Sequence, residues 1–358
     1  MFVGLFGSRK KQKNVPVTPI NEHTHEDLIE DDSLNSFDEV NEHAQVTERE
    51  VASAPQTEPE THTESENHQD DNQETNQEID NNEDEFQEPS FVPFSEKPPV
   101  THSIGQTKIL AIINQKGGVG KSTTAVNLAA ALGAMNKEVL LVDLDPQGNA
   151  TSGYGIDKRN LNGCVYDVLL GDTPVEEVIL ACVGKGVDVL PSTINLAGAE
   201  VELVNEMARE NRLKSALGSL RGRYDYILID CPPSLGLLTI NALVAADKLL
   251  VPIQCEFYAL EGVTKLLDSM KRVKSILNPS LDIFGIVLTM YDSRTNLSNQ
   301  VVSEVRQFFG DLVFETLIPR TVKLSEAPSF GQPILTYAPD NKGAAAYNDL
   351  AREVIARG

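Results

Sequence analysis

The chain has 358 residues and a formal net charge of −23 at pH 7, with four Cys, six His and no Trp. The charge is lopsided: the first 104 residues hold 25 Asp and Glu against 6 Lys and Arg, a net of −19, which leaves −4 for the rest. All six histidines (His23, His25, His43, His62, His68 and His102) fall in or beside that acidic part, which excludes a serine triad, a histidine metal site and histidine acid–base catalysis from the remainder.

Taken in chain order, residues 1–13 are apolar and then basic, the reverse of a secretory signal, and the apolar part is too short to span a bilayer. Phe2, Leu5 and Phe6 with the basic run behind them are candidates for weak contact with a membrane or a polar partner. From about 22 to 88 the sequence is Glu, Asp, Asn, Gln, His and Thr without helix or strand periodicity. It cannot bury enough apolar surface to offset its ordering entropy, so a disordered tail is expected. The Pro-containing stretch 88–99 reads as an extended linker. The expected division is a tail and linker over 1–104 and one domain over 105–358.

Strand-like runs follow at 108–114, 138–143, 187–190, 224–230, 248–253, 281–290 and 312–318. They alternate with helix-like segments at 122–135, 199–219, 235–246, 261–277, 299–309 and 344–356. Nearly continuous apolar strands alternating with helices predict an α/β fold, doubly wound, with a mostly parallel sheet covered by helices on both faces. The cysteines (Cys164, Cys182, Cys231 and Cys255) show no paired metal spacing and are expected as small buried side chains in a reduced, cytoplasmic protein.

The loop at 114–124, Asn-Gln-Lys-Gly-Gly-Val-Gly-Lys-Ser-Thr-Thr, joins the first of these strands to a helix. Gly117, Gly118 and Gly120 leave room for backbone N–H groups to face phosphate oxygens. Lys121 supplies a mobile charge, Ser122 a hydroxyl for Mg²⁺, and the helix start its positive dipole end. The strict pattern G-x-x-x-x-G-K-[ST] fails, because Gln115 stands where its first glycine belongs, and a second lysine, Lys116, lies beside it. Asp143 and Asp145 leave one strand together, and Asp230 ends another, where a carboxylate can hold Mg²⁺ through water.

The segment 116–123 resembles the deviant Walker A box of the ParA/MinD superfamily of P-loop ATPases. Residues 141–150 (LVDLDPQGNA) resemble the first switch of its ParA/Soj branch and 229–234 (IDCPPS) the second, while 290–295, 318–320 and 326–331 are also similar to that branch. The resemblance runs from about 107 to 358. It implies ATP and Mg²⁺ as cofactors, with Lys116, Gly117, Gly118, Val119, Gly120, Lys121, Ser122 and Thr123 around the phosphates. Asp145 would orient the attacking water and Asp143 support the loop, and Met290 and Pro319 would line the adenine. Lys116 would reach across a homodimer to the partner's nucleotide.

What the resemblance implies beyond the nucleotide is an ATP-dependent dimer that binds DNA nonspecifically, with a DNA-bound ParB-type partner stimulating hydrolysis during chromosome or plasmid partitioning on the nucleoid. Arg294, Arg320 and Lys323 are the DNA candidates, with Arg306 and Lys342 behind them. A MinD-like positioning ATPase at a membrane or cell pole is the alternative. The iron proteins of the superfamily are set aside, because they need a cysteine shortly after the second-switch aspartate and Leu237 stands there.

Overall fold

The computed structural model describes residues 92–97, 100, 104–171, 173–257 and 261–358. The disorder expected of the acidic tail, and any role for residues 1–13, concern residues outside that set.

Nine strands form one sheet: β1 Val92–Pro93, β2 Lys108–Ile112, β3 Val139–Asp143, β4 Leu180–Gly184, β5 Val187–Leu190, β6 Tyr226–Asp230, β7 Lys248–Gln254, β8 Asp282–Tyr291 and β9 Val313–Pro319. Their spatial order is β1-β4-β5-β3-β6-β2-β7-β8-β9. From β5 to β9 every neighbouring pair is parallel, and β4 and β1 add an antiparallel edge. This is the doubly wound α/β fold expected from the alternation.

Both faces of the central strands are covered, and the pleat explains the unbroken apolar runs. Ile109, Ala111 and Ile113 enter one core with Leu238 and Ala242 of the helix Leu237–Ala245. Leu110 and Ile112 enter the other with Leu128 and Leu132 of α1 (Lys121–Ala134) and Tyr347 and Leu350 of the helix Lys342–Ala356. Leu132 is fully buried, and truncating such a side chain to Ala typically costs about 2–5 kcal/mol.

Three local features differ from the sequence reading. The helix expected over 199–219 is broken into Leu196–Glu202 and Arg212–Gly218, joined by two short 3₁₀ turns and a left-handed Ala208 (φ 53°). Asn241 of the neighbouring helix satisfies the break, donating to the Arg209 carbonyl (2.9 Å) and accepting from the Leu213 N–H (3.1 Å). β4 was not expected, because its register shift and the left-handed Cys182 (φ 60°) hide the strand pattern; Cys182 is also exposed, while the other three cysteines are buried as expected. Finally, part of the stretch expected as an extended linker is docked: Val92 and Pro93 pair with Ala181 and Leu180 of β4.

The strand order matters for function. β2 lies between β6 and β7, so the chain crosses over it, and the connections leave in opposite directions at its carboxyl end. Ligands of open α/β sheets bind in such a crevice.

Candidate nucleotide site

Three adjacent strands, β3, β6 and β2, end at the same crevice. Parallel register sets Asp143 beside Asp230 and Asp230 beside Ile112, so both carboxylate-bearing strand ends flank the loop that leaves β2. The loop is anchored before it turns: Asn114 donates to the Pro252 carbonyl (2.8 Å) and accepts from the Lys116 N–H (3.0 Å). Gly118 (φ 77°) and Gly120 (φ 88°) adopt the left-handed conformation that a Cβ would strain. Gly120 is the N-cap of α1 and offers no side chain there, leaving the first helical N–H groups open to an anion.

Gly117, Gly118, Gly120, Lys121, Ser122, Thr123, Asp145 and Met290 line a cleft of about 560 Å³. Val119 lies beneath it, buried, with its carbonyl accepting from the Thr289 hydroxyl (2.8 Å). A smaller pocket of about 280 Å³ is lined partly by the same residues, Gly120, Thr123 and Met290, and extends to Ile318, Pro319 and Arg320. The two adenine candidates thus differ: Met290 lines both spaces, and Pro319 only the second.

Lys121 is 7% exposed and its Nζ reaches the Lys116 carbonyl (3.3 Å). Burial lowers its pKa, against the pull of Asp230 and Asp145, so a buried ammonium faces the cleft with no direct ion pair among the described residues. Asp230 is the complementary case. It is fully buried, and neither carboxylate oxygen has a hydrogen-bond partner of good geometry among the described residues. Burial pushes its pKa well up, Asp143 and Asp145 add to that, and only the Ser122 hydroxyl and Lys121 oppose it. An orphaned carboxylate costs several kcal/mol unless a cation meets it. One hydroxyl and one carboxylate beside a phosphate cradle suit Mg²⁺, which keeps waters and phosphate oxygens as its other ligands.

The two switch carboxylates divide clearly. Asp143 is wholly buried, and its Oδ2 accepts from both the Thr151 N–H and hydroxyl (2.7 Å each) and its Oδ1 from the Asp145 N–H (3.2 Å). Burial raises its pKa to about 6, with the Thr151 bonds working the other way. Asp145 instead faces the cleft, its Oδ1 accepting from the Gln147 N–H (2.9 Å), and its carbonyl accepts from Ser192 (2.8 Å).

Lys116 forms an ion pair with Glu256 of its own subunit, both side chains about one-third exposed (38% and 32%). The basic candidates sit at the same end of the sheet, because β8 and β9 pair Tyr291 with Pro319. Arg294 is bound by Asp292 (2.7 Å) and Lys323 by Glu326 (2.9 Å), while the Arg320 guanidinium lies against the Met290 sulfur (3.9 Å). Arg306 pairs with Glu315 farther back, and Lys342 begins the last helix. Glu256, Thr289, Ser192 and Thr151 were missed by sequence reasoning. A hydroxyl amid the apolar run of β8 was the available signal for Thr289, whereas nothing in the local pattern marks Glu256.

A family model described as an AAA domain matches residues 107–283. Soj of Bacillus subtilis, called a sporulation initiation inhibitor, is 58% identical over 251 residues, covering 70% of this chain and 99% of the relative. The chromosome partitioning protein ParA of Myxococcus xanthus is 54% identical over 250 residues, covering 70% of this chain and 88% of the relative. Among solved structures, a Mycobacterium smegmatis protein described as cobyrinic acid a,c-diamide synthase, with bound ADP and magnesium, is similar at 42% identity and a TM-score of 0.61, covering 70% of this chain and 94% of that one.

Proposed function

The chain belongs to the ParA/Soj family of partitioning ATPases, and on that premise we propose that it hydrolyses ATP as a Mg²⁺-dependent homodimer. In this reading the dimer holds DNA nonspecifically, and a DNA-bound ParB-type partner triggers its release during chromosome or plasmid partitioning on the nucleoid, in the cytoplasm. The observation that carries the nucleotide part is Asp230: a buried carboxylate whose oxygens have no well-formed hydrogen bond among the described residues, with the Ser122 hydroxyl and the Lys121 ammonium as the groups that favour its charge.

Phosphoryl transfer asks for charge neutralisation and an in-line water rather than covalent chemistry. Glycine N–H groups and the α1 N-terminus receive the phosphates, and Lys121, strained toward its neutral form by burial, regains a counter-charge. Mg²⁺, held by Ser122 and through water by Asp230, would neutralise the phosphate oxygens. Asp145 faces the cleft with only its Oδ1 engaged, by the Gln147 N–H, and can orient water there, whereas both oxygens of Asp143 are committed to Thr151 and Asp145. Lys116, released from Glu256, would complete the site of a second copy.

The MinD-like alternative places the effector surface at a membrane. No helix among the described residues is long and apolar enough to cross one, and the apolar face of the last helix, with Tyr347, Leu350 and Val354, is spent on the core. The deciding experiment compares ATP-dependent binding to random-sequence duplex DNA with flotation on anionic liposomes. Binding to liposomes alone would overturn the partitioning reading.

A further inference from the structure

Outside the nucleotide crevice, the most elaborate side-chain cluster lies at the β4 edge, and one of its members comes from the segment before the family-like domain. Asp188 of β5 is 1% exposed. Its Oδ1 accepts from the Cys182 N–H (2.9 Å), and its Oδ2 from the Tyr224 hydroxyl (2.7 Å) and from Lys97 Nζ (2.7 Å). Lys97 also pairs with Glu138 (2.8 Å) and lies over the Tyr224 ring, 4.8 Å from its centroid. Burial works to lower the Lys97 pKa, yet Asp188 and Glu138 outweigh it and the pKa is raised.

Three residues earlier, Phe94 stacks on the same tyrosine (centroids 6.3 Å apart, 29° between planes), with the Arg223 guanidinium 5.2 Å from its own ring. A turn closed by Lys97 N–H to the Phe94 carbonyl (3.2 Å) sets that spacing. Val92 and Pro93 add main-chain pairing to β4. An added edge strand with an aromatic anchor and a charged anchor in pockets is how folded domains recognise extended peptides.

We propose that the β4 edge, with Tyr224, Asp188 and Glu138 behind it, is a peptide-binding site for a segment that pairs briefly as a strand and then turns through Phe-x-x-Lys. Its resident ligand is the chain's own Val92–Lys97, held there as a detachable strap. The main-chain pairing gives direction, Phe94 gives apolar contact, and Lys97 supplies the cation that a buried carboxylate requires. A short tether presents the strap at an effective concentration in the millimolar range, so a free peptide competes poorly until the strap is disabled.

The test uses the full-length chain. A fluorescein-labelled peptide of residues 88–99 is titrated into the wild type, into Phe94→Ala/Lys97→Ala, and into that variant carrying Asp188→Asn as well. Saturable binding to the double variant, at least tenfold weaker binding to the wild type, and loss of binding on adding Asp188→Asn are expected. No binding to the double variant, or binding indifferent to Asp188→Asn, overturns the proposal. A second measurement leaves the strap nearly intact: Lys97→Met should speed hydrogen exchange of the β4 amides facing β1 by tenfold or more while the α1 amides stay protected. Unchanged β4 exchange overturns the proposal as well.

Discussion

Lys116, the residue that makes the phosphate loop deviant, is ion-paired with Glu256 of the same subunit. To serve a second copy's nucleotide it must leave that partner. The pair is partly exposed, and pairs of that kind are worth about 0.2–1 kcal/mol, so the latch is weak. Glu256→Gln should therefore raise the ATP-bound dimer population about two- to fivefold at limiting protein. Lys116→Ala should still bind ATP but turn it over at the assay floor. Analytical ultracentrifugation with ATP reads the first effect, and a reduced dimer fraction in Glu256→Gln would show that the glutamate assists assembly.

Lys121→Ala should abolish ATP-dependent dimerisation, since the phosphates lose the cradle's buried ammonium. Size-exclusion chromatography with and without ATP checks it. A dimer of unchanged stability would mean that Lys121 is not the principal phosphate contact.

Asp145→Ala and Asp143→Ala should fail differently. The first keeps its fold, binds ATP, dimerises and accumulates on DNA while turnover drops. The second leaves the Thr151 N–H and hydroxyl without their acceptor, a loss of about 1–3 kcal/mol for each buried donor left unmet, and should melt at a lower temperature. Parallel thermal melts and phosphate-release assays separate them, and the assignment is reversed if Asp143→Ala is the stable, slow variant.

Changing Arg294, Arg320 and Lys323 to Glu should remove DNA binding without touching the ATP-dependent dimer. Each lost phosphate contact removes roughly 0.9 from the slope of log affinity against log salt, so the variant's titrations should be both weak and shallow. The pairing of Arg294 with Asp292 and Lys323 with Glu326 adds an opposite prediction. Asp292→Asn with Glu326→Gln should strengthen DNA binding, and an unchanged affinity would place the DNA surface elsewhere.

Deleting residues 1–90 should leave ATP turnover intact and, at about 50 mM salt, raise DNA affinity, because those residues carry the whole of the −19 charge. Equal affinities of the two forms would exclude electrostatic masking. The cut is placed before Val92 so that the strap remains.

The sheet and the phosphate loop were legible because both are written locally: unbroken apolar runs for strands buried on two faces, and glycines followed by Lys121 and Ser122. Contacts between distant segments were not. Asn241, which stabilises the break in the helix expected over 199–219, lies in another helix, and Glu256 meets Lys116 across 140 positions. The division between Asp143 and Asp145 also needed coordinates, since the two look alike until the Thr151 donors are seen. The contacts of residues 92–97 were not legible, because Pro and polar neighbours look like linker, while their partners, Asp188 and Tyr224, lie 91 residues beyond Lys97 and 130 beyond Phe94.

β5 is only four residues long, yet it carries Asp188 near its start and delivers Ser192 just past its end. One carboxylate grips the strap; one hydroxyl grips the Asp145 carbonyl. At about 3.3 Å per residue the two grips are some 13 Å apart, joined by backbone that is buried throughout and paired to β3 as far as Leu190. A strand so short and so well clamped has little slack to absorb a shift at one end. Residues 92–97 and the loop carrying Asp145 are thus held through one short stretch of buried chain.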